Sequence, residues 1–213
     1  ITNRLVGSEM CIRDRYDTTA FNFTMMYGLD ALTVGENIES NLVGWEPNQI
    51  ISEITEDAVM WATDGIDDRS VAFAARMMEQ DVEVRIVNKD AVLSGHKLSR
   101  GSVVVIAMDN PEINNLPDMI KVVSEELNIA IMSLESGFGP EELPDWGGRH
   151  FRLLEKPQIA MLSHEGFNSY DVGVSLWSID HHLGIRHSQL NASLASYGDL
   201  RRYNTIILSL IHI

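Results

Sequence analysis

The segment SIDHHLGIRH, Ser178–His187, places three histidines and one aspartate within eight positions. Imidazoles and carboxylates are metal ligands, so a metal site is one hypothesis. However, His181 and His182 are adjacent, and adjacent helical residues point about 100° apart, whereas paired ligands on one helix are spaced i, i+4. Histidines in a last turn also interact favourably with the helix dipole, and Gly184 stands where a left-handed cap is expected. The pattern therefore favours a helix end, with metal binding and pH sensing as the alternatives.

A second polar group, Ser163, His164 and Glu165, directly follows the strand-like run QIAMLS. Open α/β sheets bind ligands outside the carboxyl ends of their strands, so these three residues are candidate ligand-binding residues. The spacing is not that of a zinc peptidase, because no H-E-x-x-H occurs and no histidine has a glutamate three residues later. The alternative is a structural loop that caps the next helix through Ser169 or Asp171.

The stretch TDGIDDR, Thr63–Arg69, has the same position after an earlier apolar run. Its aspartates could hold a hard cation, and Asp64 is the candidate ligand-binding residue among them. Asp67 and Asp68 stand at the start of a predicted helix, where helix capping is the favoured role. No dinucleotide fingerprint and no G-x-S-x-G elbow is present. The residues thus indicate no catalytic group and no metal ligand.

Apolar periodicity predicts the elements that position these residues. Strands are expected in residues 58–62, 82–87, 103–108, 129–134, 158–163, 185–190 and 204–208, and helices in 69–80, 111–127 and 172–183. In the first helix Val71, Ala74, Ala75 and Met78 form one face. Strands that alternate with helices indicate an α/β fold built from parallel-sheet, flavodoxin/Rossmann-like units, of which the second is expected to be truncated.

The charge and the cysteine content of the chain exclude some classes of partner and of reactive group. A formal charge of −15 opposes binding to nucleic acid or to an anionic membrane surface. No apolar run is long enough to span a bilayer. The one cysteine, Cys11, lies in NRLVGSEMCIRDR, which resembles translated sequencing-adaptor readthrough, as does the terminal LSLIHI. Residues 1–15 and 209–213 are therefore expected not to be native, which leaves no thiol for a disulfide or a thiolate site.

The expected organisation follows from these segments. Residues 16–56 form a segment before the first α/β unit, 57–134 form that unit, 135–157 form a linker, and 158–208 begin a second α/β domain. The linker contains the Gly- and Pro-rich sequence ESGFGPEELPDWGGRH, which is long enough to be a domain boundary or a functional loop.

Three stretches resemble a group of large bacterial zinc carboxypeptidases of the carboxypeptidase A superfamily. YDTTAFNFTMMYGLDAL is similar to the segment that follows the catalytic domain of that family. LSGHKLSRGSVVVIAMDN is similar to a stretch in which Gly-Ser precedes a valine-rich strand. The region from PDWGGRHF to NTIIL resembles the start of the class I glutamine amidotransferase-like domain of the family. The resemblance covers Tyr16 to about Leu208.

The resemblance implies a non-catalytic accessory piece of a metallocarboxypeptidase-like protein, whose parent activity is peptide hydrolysis. It implies that the zinc and its ligands belong to an upstream peptidase domain, which is the expected partner, and that this chain holds no cofactor. It also implies that the parent is exported. Two alternatives remain open: an amidotransferase-like domain with its own hydrolytic activity near His164 and Glu165, and a free-standing ligand-binding α/β module.

Overall fold

A computed structural model describes residues 50, 52, 54–164, 166–191 and 198–208. The predicted non-native ends, most of segment 16–56, and Glu165 lie outside these residues. The strands are β1 (Met60–Thr63), β2 (Val84–Val87), β3 (Ala91–Leu93), β4 (His96–Leu98), β5 (Val103–Ile106), β6 (Met132–Leu134), β7 (Phe151–Leu153), β8 (Ile159–Ser163), β9 (His187–Asn191) and β10 (Thr205–Leu208). The helices are α1 (Arg69–Glu79), α2 (Leu116–Leu127) and α3 (Ser169–Trp177), and a π-helical segment, Ser178–Leu183, continues α3.

The described residues form a mixed α/β structure with two main sheets. One has five strands in the order β6-β1-β5-β2-β7, and the other has three strands in the order β10-β8-β9. The three-stranded sheet is parallel, as the sequence predicted: β8 pairs in parallel with both β9 and β10, and α3 connects β8 to β9. Every strand predicted from the apolar runs is present in the structure, with boundaries within a few residues.

The five-stranded sheet is antiparallel, so the parallel sheet predicted for residues 57–134 is wrong. Helices α1 and α2 do connect strands that run in the same direction, but each pair is separated by one intervening strand. The strand β5 lies between β1 and β2 because the β3–β4 hairpin returns the chain before β5 begins. The result is the split β-α-β arrangement of ferredoxin-like folds.

Helix α1 is buried on more than one side. Phe73, Ala74, Met77 and Met78 pack in the cluster beneath the five-stranded sheet, whereas Ala75 packs with β8 and α3. Val71, predicted to lie on the buried face, is 59% exposed. The sequence prediction assumed that α1 buries one apolar face, but α1 has two buried faces.

Residues 135–157, predicted to be a linker, contribute a strand to the first sheet. Phe151–Leu153 forms β7, which pairs with β2. The preceding residues fold into a compact loop over the face of the sheet opposite α1 and α2, where Trp146 packs with Leu93, Leu134 and other residues of a second apolar cluster. The loop therefore packs on the first sheet as part of its structure.

Both sheets lie in one compact unit, and Ala75 of α1 packs in a cluster with residues of β8 and α3. Arg76 donates to Glu126 of α2 (2.9 Å) and to the carbonyl oxygen of His181 (3.4 Å). Lys156 pairs with Asp81 at 2.7 Å, and Arg186 pairs with Glu79. Arg76 and Glu79 of α1 thus contact the π-helical segment and the residue before β9, and Asp81, just after α1, contacts Lys156 between β7 and β8.

Two further features complete the fold. The end of segment 16–56 runs beside β6: the backbone NH of Ile50 donates to Asn128, and Ser52 bonds to the backbone of Ile129 and Ile131. No helix among the residues with assigned structure is long and apolar enough to cross a membrane.

Candidate functional site

The predicted ligand residues Ser163 and His164 lie at the carboxyl end of β8, the central strand of the parallel sheet. The Ser163 hydroxyl oxygen is 2.8 Å from Nδ1 of the His164 imidazole, within hydrogen-bond distance. Ser163 is 4% exposed, whereas His164 is exposed to solvent. The strand therefore ends in a buried hydroxyl that bonds to an exposed imidazole.

The backbone of this loop has a left-handed conformation at two positions. His164 has a φ of 79° and Gly166 a φ of 90°. Glycine adopts this conformation readily, but a residue with a Cβ atom adopts it at a cost of about 1–2 kcal/mol. A backbone bond from the NH of Phe167 to the carbonyl oxygen of His164, 3.2 Å, closes the turn. Strained backbone of this kind is frequent at ligand-binding sites.

Helix α3 starts directly after this loop, and its cap differs from the predicted alternatives. The side chain of Asn168 accepts a hydrogen bond from the NH of Tyr170 at 2.8 Å, so neither Ser169 nor Asp171 is the N-cap. Asp171 lies in the first turn, where its charge complements the helix dipole. The loop thus joins the carboxyl end of a central parallel strand to a capped helix, which is where doubly wound sheets bind ligands.

The exposure of Ser163 and His164 distinguishes between two roles, nucleophilic attack by the serine and ligand binding by the histidine. A histidine beside a serine hydroxyl can accept its proton during nucleophilic attack. A serine nucleophile must be reached by its substrate, and Ser163 is almost fully buried. The accessible group is the imidazole, which the hydroxyl orients. The arrangement favours hydrogen bonding to a ligand through His164 over attack by Ser163.

The fourth predicted residue, Asp64, follows β1 of the other sheet. Its carboxylate accepts a hydrogen bond from the NH of Ile66 at 3.2 Å, which is an Asx turn. Among the described residues, no hydrogen bond or ion pair connects Asp64 to Ser163 or His164. Asp64 and the His164 loop thus belong to the ends of strands in different sheets.

The neighbouring carboxylate Asp67 bonds to a free backbone NH at the start of α1, although the N-cap position itself is Asp68. Asp67 accepts from the backbone NH of Arg69 at 3.0 Å and from the Arg69 guanidinium at 2.6 Å, and Arg69 also donates to the carbonyl oxygen of Asn128 at the end of α2. The hydrogen bonds from Arg69 lower the pKa of Asp67 below its usual range, and they raise the pKa of Arg69. Asp68 precedes α1 without capping it through its side chain.

The histidines of Ser178–His187 lie at a helix end, as the pattern indicated. His181 and His182 occupy the last turn of the π-helical segment, which Gly184 ends with a φ of 68°. The His181 ring lies 5.8 Å from the Trp177 ring. Nδ1 of His187, on β9, is 3.3 Å from a carboxylate oxygen of Asp180, without hydrogen-bond geometry.

Metal binding requires several ligand side chains around one point. Within the described ranges, no three His, Cys, Asp or Glu side chains come together as ligands for one ion.

The sequence did not predict two features, the ion pair between Arg85 and Asp109 and the packing of Trp146 on Gly137. Arg85 donates to both carboxylate oxygens of Asp109, at 2.6 and 3.0 Å, and to the carbonyl oxygen of Phe151. Trp146 packs against Gly137 in the loop that was predicted to be a linker, and this contact forms one wall of an apolar cleft. The GFGP…W sequence was the available signal, because a glycine is required where an indole ring lies against the backbone.

The comparisons with known proteins add no assignment. No protein-family model, no curated protein and no solved structure matches this chain.

Proposed function

We propose that this chain is a non-catalytic accessory region of a zinc metallocarboxypeptidase-like protein, in which residues 158–208 begin a flavodoxin-like, class I glutamine amidotransferase-like domain. The observation that carries the proposal is the order of the parallel sheet. Numbered from β8, the order β9-β8-β10 is 2-1-3, with a helix that connects the first two strands. Flavodoxin-like sheets begin with this order, and the resemblance of the sequence implies this fold.

The proposed role separates ligand binding from peptide hydrolysis. In this proposal the zinc and the residues that hydrolyse peptides belong to a partner peptidase domain, as the family resemblance implies, and the chain itself contains no histidine with a glutamate three residues later. Zinc in that domain supplies the activated water for hydrolysis. The described residues contribute a packed scaffold, with one exposed histidine, His164, at the end of its central parallel strand.

Two measurements on the purified chain test this proposal. Metal analysis after dialysis is expected to find less than one zinc per chain, and a synthetic peptide is expected to keep its C-terminal residue. The DNA upstream of the coding sequence is expected to encode an H-x-x-E motif and a later histidine in the same reading frame. Stoichiometric zinc or release of the C-terminal residue by this chain would overturn the proposal.

The exposed imidazole of His164, which bonds to the Ser163 hydroxyl at the end of β8, supports a second candidate function, hydrolysis in which the imidazole and not Ser163 takes part. In this function the amidotransferase-like domain has an activity of its own, in which Glu165 also takes part. The substitution His164→Ala in the full-length protein then lowers turnover while the zinc content stays the same. Unchanged turnover would exclude the second candidate.

A further inference from the structure

A cleft of about 460 Å³ opens between the compact loop 135–150 and the end of the five-stranded sheet. Met60 of β1 and Ile106 of β5, which pair with one another, form its floor. Phe138 and Trp146 of the loop and Met108, which follows β5, form its walls. The volume is within the range of about 300–1,000 Å³ that is typical of ligand pockets.

The cleft has an apolar interior and an apolar rim. Met60 and Ile106 are buried, whereas Phe138 is 75%, Met108 74% and Val59 43% exposed. The backbone at the floor is already paired, because the NH of Val59 donates to Leu134 and the NH of Ala107 donates to Val59. A ligand here would be held by apolar contact more than by hydrogen bonds. Large apolar side chains that converge on one cavity are typical of interaction sites.

The loop that forms the cleft is held by specific contacts. The Ser94 hydroxyl bonds to both the carbonyl oxygen and the NH of Ser136, each at 3.0 Å. The NH of Gly139 donates to Asp145 at 2.7 Å, and the NH of Trp146 donates to the carbonyl oxygen of Gly137. A cleft with fixed walls binds with a smaller loss of conformational entropy than a cleft that must be ordered.

The charge of the loop that forms one side of the cleft indicates the occupant, and Glu135 of this loop lines the cleft itself. The loop carries four carboxylates, Glu135, Glu141, Glu142 and Asp145, and one arginine, Arg149. The whole chain has a formal charge of −15, which opposes association with a second copy. The apolar segment 16–34 of this chain has two aspartates and no lysine or arginine, so it lacks the complementary charge. A basic partner has that complementarity.

We propose that this cleft binds a peptide segment that inserts an aromatic or large aliphatic side chain between Phe138, Met108 and Trp146 and places flanking lysine or arginine residues beside the acidic loop. The inference goes beyond the proposed function and does not depend on it. Binding at this cleft requires neither zinc nor peptide hydrolysis. Failure of the inference would thus leave the zinc and peptidase measurements unaffected.

Fluorescence anisotropy with labelled synthetic peptides tests the inference on the purified chain. The first peptide has a central phenylalanine between two pairs of lysines, the second has alanine at the centre, and the third has glutamates in place of the lysines. The alanine and glutamate peptides are each expected to bind about tenfold more weakly than the first, since anchor residues dominate such contacts. Added salt is expected to weaken binding of the lysine peptide.

Variants of the cleft locate the binding. Phe138→Ala and Met108→Lys change exposed side chains and are each expected to weaken binding of the phenylalanine peptide by about tenfold. Tyr170→Ala is the matched control, because Tyr170 is 83% exposed on α3 and is not part of the cleft. Melting curves check that each variant is folded.

Two results would overturn the inference. One is that Phe138→Ala and Met108→Lys bind the phenylalanine peptide as tightly as the wild type does. The other is that the phenylalanine and alanine peptides bind equally. A dimer of the chain that Phe138→Ala dissociates would also overturn it, because the occupant would then be a second copy.

Discussion

The hydroxyl of buried Ser163 lies 2.8 Å from Nδ1 of the exposed His164, at the end of the central parallel strand. This contact orients the imidazole while the backbone of His164 has a left-handed φ of 79°. A strand that continued in extended geometry would place the next side chain on the opposite face of the sheet. The left-handed turn thus decides where the imidazole points.

The left-handed backbone of His164 predicts different stabilities for two small substitutions. His164→Gly and His164→Ala both remove the imidazole, but only glycine relieves the conformational cost of a Cβ atom. We expect the glycine variant to have a free energy of unfolding about 1 kcal/mol higher than that of the alanine variant. Urea denaturation measures the difference. Equal stability of the two variants would contradict the left-handed backbone at this position.

A substitution at Gly137 tests the packing of loop 135–150. A Cβ atom there would lie 1.9 Å from Cδ1 of Trp146, so Gly137→Ala must displace the indole ring. We expect a loss of about 1–3 kcal/mol in the free energy of unfolding. Gly147→Ala is the control, because no atom lies within 4 Å of the Cβ position at Gly147. Thermal and urea unfolding of both variants check the prediction, which fails if the two lose the same stability.

The pair Asp67–Arg69 predicts a pH dependence of stability. Arg69 lowers the pKa of Asp67 in the folded state, so the pair stabilises the fold fully above the unfolded pKa of about 3.9. This contribution is lost as pH falls through the lower, folded pKa. We expect Asp67→Asn to cost about 1 kcal/mol at pH 7, and the difference from wild type to shrink in acid. Urea denaturation at several pH values measures it.

Asp68→Asn is the control for this pH dependence, because the Asp68 side chain does not cap α1. Its effect on stability is expected to be smaller at every pH. A difference between wild type and Asp67→Asn that grows as pH falls would have the wrong sign for a carboxylate whose pKa is lowered by folding.

The bidentate pair between Arg85 and Asp109 predicts coupling in a double-mutant cycle. The side chains are 24% and 13% exposed, and Arg85 also bonds to the backbone of β7. We expect Asp109→Ala to leave the guanidinium without its counterion and to cost about 2 kcal/mol. The double variant Arg85→Met/Asp109→Ala is expected to lose about 1–2 kcal/mol less than the sum of the single variants. Additive losses in urea denaturation would show that the pair is not coupled.

Local patterns predicted part of the candidate site. A polar run after a strand indicated Ser163 and His164, and a glycine after a periodic stretch indicated the left-handed end of the helix at Gly184. Capping by Asn168 was missed because several polar residues near a helix start satisfy the same sequence rule. The contact between Trp146 and Gly137 was missed because it joins residues nine positions apart in a loop without periodicity.

The sequence by itself determined the order of α1, α2, α3 and seven of the ten strands named above, because the spacing of apolar residues reports which face of each element is buried. It missed the short strands β3, β4 and β7. It did not determine which strands are neighbours or the direction in which they pair. A fully apolar run such as Val103–Ile106 fits the centre of a parallel or of an antiparallel sheet equally well.

Only the tertiary structure placed β5 between β1 and β2, buried α1 between the two sheets, and folded residues 135–150 over the first of them. These arrangements depend on clusters that join distant parts of the chain, such as the one that contains Ala75 and Ile159 and the one against which Trp146 packs. The free energy of packing comes from the apolar area that both packed segments remove from water. The spacing of apolar residues in one segment shows which of its faces is apolar, but it does not show which other segment packs against that face.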